Sequence, residues 1–186
     1  MNKKDTVVFD LDGTLLDTLE DLKNSVNYAM TQCGYPEHTL DEVRRYVGNG
    51  ILLLMQRAIP GGKDDPNFDK AFTLFKEHYG KHCNDTTKPY AGIMELLRTL
   101  KENNIKIAIV SNKADFAVKE LNAIYFKDLI PVAIGEKESE GIRKKPAPDT
   151  VIEALKQLGS TAENSVYIGD SDVDIETARN SGMDEI

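Results

Sequence analysis

The chain has 186 residues, with 23 Lys+Arg against 31 Asp+Glu for a formal charge of −8, and 40% hydrophobic and 29% charged residues. That length suits one ordinary domain, or one with a modest insertion, and gives enough core to fold without a disulfide or metal staple. The composition is too apolar for a disordered chain and too charged for a membrane one, and an acidic chain without a basic block is a poor nucleic-acid binder.

The longest apolar run, Ile51 to Met55, falls short of a bilayer span. Met1-Asn2-Lys3-Lys4-Asp5 carries no signal-peptide pattern, which points to the cytoplasm. In a leaderless chain, Cys33 and Cys83 read as reduced structural thiols.

In chain order, Thr6-Val7-Val8-Phe9 is a β-branched apolar run that reads as a buried parallel strand ending in a polar loop. From Asp17 to about Lys88 the patterns are helical. Leu19, Leu22, Val26 and Met30 form one stripe, with Thr18 as N-cap and Asp21 three residues on. Thr39-Leu40-Asp41-Glu42 is a capping box, and Ile51 to Ile59 is a third helix stopped by Pro60-Gly61-Gly62. Phe68, Phe72, Phe75 and Tyr79 share one face of a fourth helix, so they read as core. His78 and His82 lie on that helix and at its end, with no acid completing a zinc signature.

Three further strand runs follow: Ile105–Val110, Pro131–Gly135 and Ser165–Gly169. Between them lie helices marked by Ile93, Leu96, Leu97 and Leu100, and by Val151, Ile152, Leu155 and Leu158 before Gly159. The alternation predicts an α/β fold: a parallel-sheet, Rossmann-like core over residues 1–16 and 87–186, with an all-α cap inserted over 17–86.

Four segments carry chemistry. Asp10-Leu11-Asp12-Gly13-Thr14 lies just past a strand's carboxyl end, where open α/β sheets bind ligands. Asp10 and Asp12, two apart in extended backbone, face the same side; Gly13 allows the sharp turn that brings N–H groups inward. Paired carboxylates are tolerable when a divalent cation neutralises them or one holds a proton. Gly169-Asp170-Ser171-Asp172-Val173-Asp174 crowds three acids at a helix start. Asp170 reads as a hard-cation ligand, Asp174 as a supporting one and Asp172 as solvated. Ser111-Asn112-Lys113 reads as a strand end where Ser111 opens a helix, by itself only an N-cap. In Arg143-Lys144-Lys145-Pro146-Ala147-Pro148-Asp149 the prolines stiffen the chain after the cations, so Lys145 can place a fixed charge near an anion, and Asp149 reads as an N-cap. The set suits phosphoryl transfer.

The order Asp10-x-Asp12-Gly13-Thr14, Ser111-Asn112, Lys145-Pro146, Gly169-Asp170-Ser171-x-x-Asp174 resembles the haloacid dehalogenase-like hydrolase superfamily across essentially the whole chain. The helical insert looks like that superfamily's C1 cap. Leu40–Gly50 is similar to a cap segment of its phosphoglycolate phosphatase branch. The resemblance implies Asp10 as nucleophile and Asp12 as acid and base. It gives Ser111 and Asn112 as phosphoryl donors, Gly13 and Thr14 as substrate-binding, and Lys145 as the charge offset. Mg²⁺ would be held by Asp10, the Asp12 carbonyl and Asp170, with Asp174 supporting. Asp12 argues against halide displacement, since only an oxygen leaving group needs a proton donor.

For substrate choice, free N–H groups at Gly48-Asn49-Gly50, before the Ile51 helix, would hold a small carboxylate with help from Arg44 or Arg45; a helix end followed by a turn is the competing reading. The expected function is a Mg²⁺-dependent phosphatase acting on a small phosphorylated metabolite such as 2-phosphoglycolate. A phosphomutase, a pyrophosphatase and a non-catalytic phospho-binding protein are the alternatives. No nucleic-acid or membrane partner is expected, and the chain would be a monomer or homodimer. After Asn180–Ile186 the superfamily's last core strand is expected to be missing, leaving the Ser165–Gly169 strand as an open edge beside Asp170.

Overall fold

The computed structural model describes residues 4–186; Met1–Lys3, part of the stretch read as leaderless, lie outside them. The chain divides into two compact units: the residues up to Leu16 together with Pro89–Ile186, and Asp17–Lys88. The strands are β1 (Thr6–Phe9), β2 (Leu16–Asp17), β3 (Lys88–Pro89), β4 (Lys106–Ala114), β5 (Val132–Glu136), β6 (Ser165–Ile168) and β7 (Asp184–Glu185). β2 and β3, where the chain passes between the units, pair as a two-stranded ribbon.

The first unit is built on a parallel sheet in the order β5-β4-β1-β6-β7. Its helices are α5 (Ile93–Glu102), α6 (Asp115–Tyr125), α7 (Asp149–Leu158) and α8 (Asp172–Ser181). Successive strand residues point to opposite faces, so β1 and β4 feed two separate cores. Val8, Ala108 and Val110 pack with Val151, Ala154, Leu155 and Ala178. Phe9, Ile107 and Ile109 pack with Leu97, Val118 and Leu121. Leu96 and Ile152, counted in the predicted helix stripes, fall off the buried face and are exposed.

Three expectations about the strands and caps of this unit differ in the structure. β6 is not an open edge: Val166 pairs with Asp184 and Tyr167 with Glu185, and the Ile186 N–H donates to the Tyr167 carbonyl. So a short β7 occupies the position expected to be missing. The second β-run does not stop at Val110 but continues to Ala114 as β4, so Ser111 lies inside a strand and does not cap a helix. Asp149 is the first residue of α7, not its cap, and its carboxylate takes two bonds from the Arg143 guanidinium.

The second unit holds α1 (Leu19–Gln32), α2 (Leu40–Tyr46), α3 (Ile51–Ala58) and α4 (Phe68–His82). The Thr39 capping box forms: the Glu42 N–H reaches Thr39 Oγ1 at 3.3 Å and the Thr39 N–H reaches Glu42 Oε2 at 2.7 Å. Phe68, Phe75 and Tyr79 are buried with Val26, Met30, Leu54 and Cys83 in one apolar cluster. His78 and His82 stack on each other at 4.3 Å, His78 Nδ1 lies 3.0 Å from Ser25 Oγ, and His82 Nδ1 lies 2.7 Å from Asp85.

Thr18 precedes α1 but makes no side-chain cap, and Asp21 does not reach back to it. The buried Asp21 carboxylate instead accepts from both the N–H and the hydroxyl of Thr86 and of Thr87, at 2.6–3.1 Å. Burial pushes this carboxyl up, but those four donors outweigh it and hold it below its ordinary 3.8. Its stabilisation is therefore full above that ordinary value and lost as pH falls through the lower folded one. Asp21→Ala, which strands two backbone donors, is expected to cost about 2–4 kcal/mol at neutral pH. Urea unfolding followed by circular dichroism should show the gap to wild type shrinking as pH falls below the ordinary 3.8.

Candidate active site

The carboxyl ends of β1 and β6 bring Asp10, Asp170 and Asp174 together, and Lys145 joins them from the loop between β5 and α7. β1 delivers Asp10, whose N–H continues the ladder to the Ile168 carbonyl at 2.9 Å. Among the described residues, the side chains grouped closely enough to share a cation are Asp10, Asp170 and Asp174, with one oxygen of each within 4.8 Å of the others.

Lys145 sits in this cluster, almost fully buried. Its ammonium donates to Asp174 Oδ1 at 2.7 Å and to the Tyr167 hydroxyl at 3.0 Å. It lies 2.9 Å from Asp10 Oδ1 without an aligned hydrogen bond, so that buried oxygen has the charge nearby but no donor. Burial pushes the Lys145 ammonium towards its neutral form, yet Asp10, Tyr167 and Asp174 outweigh it and hold its pKa well above the usual range. Burial raises the Asp10 carboxyl to about 6; Lys145 opposes the rise, and the charges on Asp174 and Asp12 add to it. Asp174 goes the other way: burial would raise it, but Lys145, Ser171 and Tyr167 hold it low.

Asp174 is also saturated. Its Oδ1 accepts from Lys145 and Tyr167, and its Oδ2 from the N–H and hydroxyl of Ser171. Four acceptor positions are all a carboxylate offers. Asp174 therefore anchors Lys145 and the start of α8, and the acceptor positions open to a cation belong to Asp10 and Asp170. Asp170 is exposed, with Oδ1 accepting from Thr14 Oγ1 at 3.1 Å. Partial desolvation raises its carboxyl against that hydrogen bond, and the Asp174 charge adds to the rise. An all-oxygen donor set with an undonated buried oxygen fits a hard divalent cation such as Mg²⁺.

Several residues expected to bind substrate are engaged in building the site. Thr14 holds Asp170. The Asn112 amide donates to the Lys145 carbonyl at 3.0 Å, tethering the lysine loop to β4. The Gly13 N–H donates to the Leu16 carbonyl, so it is not turned to a ligand. What Gly13 supplies is absence of bulk. At φ +85° a Cβ there would lie 2.3 Å from Asp170 Oδ2, and one on Gly169 would lie 2.3 Å from Asp174 Cγ. Ser111 is buried, with its Oγ 3.3 Å from the Lys113 N–H. Asp172 is exposed, as its sequence reading expects.

Sequence reasoning missed Lys113 and Tyr167. Tyr167 read only as a strand residue, and its hydroxyl links Lys145 to Asp174 and lies 3.3 Å from the Val110 carbonyl. The lysine–tyrosine–aspartate contacts join residues 22, 29 and 7 positions apart, which no local pattern reveals.

The predicted cap residues belong to the other compact unit. Gly48–Gly50 links α2 to α3, and Gly50 caps α3 at φ 87°. The guanidinium held at this turn comes from Arg57, which donates to the Tyr46 carbonyl and to Asn49 Oδ1, each at 2.8 Å. Arg44 pairs with Asp41, and Arg45 is exposed on α2; Glu42 is held low chiefly by the Thr39 N–H and hydroxyl, with a smaller share from the Arg45 charge. Arg57 is thus a cation bonded to that turn which the sequence reading did not name.

The family model for haloacid dehalogenase-like hydrolases matches residues 7–186. The chain belongs to that family. It is similar to a phosphoglycolate phosphatase of Aquifex aeolicus, 33% identical over 95% of this chain and 80% of that protein. A phosphoglycolate phosphatase of Pseudomonas putida is 32% identical; the match covers 95% of this chain, which spans only 66% of that protein's length. Among solved structures, a candidate phosphoglycolate phosphatase from Lactobacillus delbrueckii subsp. bulgaricus superposes with a TM-score of 0.93 at 37% identity, covering 98% of this chain and 85% of that one. No helix among the described residues is long and apolar enough to cross a membrane.

Gly13→Ala is expected to weaken Mg²⁺ binding at least about tenfold, a change of about 1.4 kcal/mol, because the added methyl displaces Asp170. Isothermal titration of the folded variant with MgCl₂ checks this.

Proposed function

We propose that the protein is a Mg²⁺-dependent phosphatase that hydrolyses a small phosphomonoester through a phosphoaspartate on Asp10. The observation that carries this reading is the buried Asp10 Oδ1, free of any donor and 2.9 Å from the Lys145 ammonium, beside the exposed Asp170 carboxylate. That is a carboxylate set beside a fixed positive charge and left with acceptor capacity, as a nucleophile requires.

Asp10 attacks phosphorus with a lone pair, the bond from phosphorus to the ester oxygen breaks, and that oxygen takes a proton from Asp12. A water then attacks phosphorus while giving its proton back to Asp12, and the bond from Asp10 to phosphorus breaks to release phosphate. Lys145 lowers the cost of bringing an anionic phosphoryl against Asp10, and Asn112 holds the lysine backbone in place. Ser111, within β4, is the hydroxyl assigned to the transferring phosphoryl oxygens. Asp10 and Asp170 would hold Mg²⁺, which when bound supplies positive charge against the phosphoryl oxygens.

The names of the relatives support 2-phosphoglycolate as substrate. Gly48, Asn49, Gly50 and Arg45 are the cap positions proposed to take its carboxylate, with Arg57 bracing Asn49.

Four outcomes test this. Purified protein with MgCl₂ should release phosphate from 2-phosphoglycolate in a panel of sugar and acid phosphates that includes pyrophosphate. A bisphosphate product would instead indicate a mutase, and preference for pyrophosphate a pyrophosphatase. Asp10→Asn should lose at least about 10³-fold in kcat with an unchanged circular dichroism spectrum, since electrostatic and nucleophilic roles both depend on that carboxylate. EDTA should abolish turnover, and excess Ca²⁺ should inhibit through its looser coordination.

A further inference from the structure

We propose that Lys113 is a positioning residue for proton transfer: its ammonium aims Asp12 and stabilises the carboxylate left when Asp12 gives its proton to the leaving oxygen. The proposal rests on the phosphatase reading above. The Lys113 Nζ donates to Asp12 Oδ1 at 2.8 Å and to Oδ2 at 3.1 Å. The lysine side chain is 3% exposed and that of Asp12 is 16% exposed. Lysine is rarely buried unless paired, and here the pair spans 101 residues of sequence.

The backbone around Lys113 is shaped for this contact. β4 pairs Val110 with Ile134 and Ala114 with Glu136, so it takes four steps where β5 takes two. The extra residues fall within Ser111–Lys113, and bulges of this kind re-aim side chains next to sites. The two lysines buried among the described residues divide the acids between them. Lys145 serves Asp10 and Asp174, and Lys113 serves Asp12.

The chemistry follows from the two contacts. As the bond from phosphorus to the ester oxygen breaks, that oxygen's electron pair takes the Asp12 proton. Asp12 is then a carboxylate with two equivalent oxygens, the form that accepts both Lys113 bonds. In the second half-reaction the same carboxylate takes a proton from the attacking water. Lys113 keeps its own protons throughout. An interaction that strengthens as the proton leaves raises kcat and has little effect on substrate binding.

The test compares an alkyl phosphate, whose leaving oxygen needs a proton, with p-nitrophenyl phosphate, whose phenolate leaves with little help. Lys113→Met in the full chain with MgCl₂ should lower kcat on the alkyl ester by about 10²-fold, the lower end of a general-acid contribution. On the aryl ester the loss should stay under about fivefold, with KM within about twofold on both. Lys113→Arg should recover at least about tenfold of the alkyl-ester loss. Added to Asp12→Asn, Lys113→Met should cost less than about threefold more on the alkyl ester, since the two act as one unit. Equal losses on both esters, no loss on either, or additive losses in the double variant would overturn the proposal. Should Lys113→Met not fold, Lys113→Arg is read by the same ratio: a larger loss on the alkyl ester supports the assignment and an equal loss overturns it. Wild-type protein inactive on both esters would instead overturn the phosphatase reading.

Discussion

Lys145 places an almost fully buried positive charge between Asp10 and Asp174, two carboxylates that would otherwise repel one another out of the same pocket. Removing one member of such a buried group leaves the others uncompensated, at a typical cost of about 3–5 kcal/mol. The arrangement is uneven, and the unevenness is chemically useful. Lys145 aims its hydrogen bonds at Asp174 and Tyr167, so Asp174 is held low and fully occupied. Asp10 receives the field of the same charge without being tied up by it. One cation thus makes a fixed strut of one acid and leaves the other able to react.

The loops around this group are held by contacts that leave no room for side chains. Thr14 binds Asp170, Ser171 binds Asp174 with both its donors, and Asn112 binds the lysine loop. Gly13 and Gly169 sit where any Cβ would press into a carboxylate. Precision here comes from backbone approach and long-range hydrogen bonds. The parallel sheet brings the strand ends together, and the side chains fix the final geometry.

What the sequence made legible follows from range. The β1 run, the Thr39 capping box and the Phe68–Tyr79 face are set by neighbours within a few residues, and periodicity reads them directly. The acids of the site were legible because two of them crowd each strand end against ordinary electrostatics. Lys113, Tyr167, Arg57 and the bonds from Thr86 and Thr87 to Asp21 were not legible, because each meets its partner through the fold. Lys113 carries no local signal of burial, and only β4 brings it inside. β7 escaped because two exposed residues, Asp184 and Glu185, carry no hydrophobic alternation and are a strand only by pairing with β6.

The mismatch between β4 and β5 has one more consequence. Strand side chains alternate faces, so shortening β4 by a single residue between Val110 and Ala114 would exchange which face each following residue presents. The serine, the asparagine and the lysine there would not fade gradually; they would trade places with whatever lies behind the sheet. That short stretch is therefore a phase-setting element, where point changes act on chemistry but a change in length acts on the identity of the pocket itself.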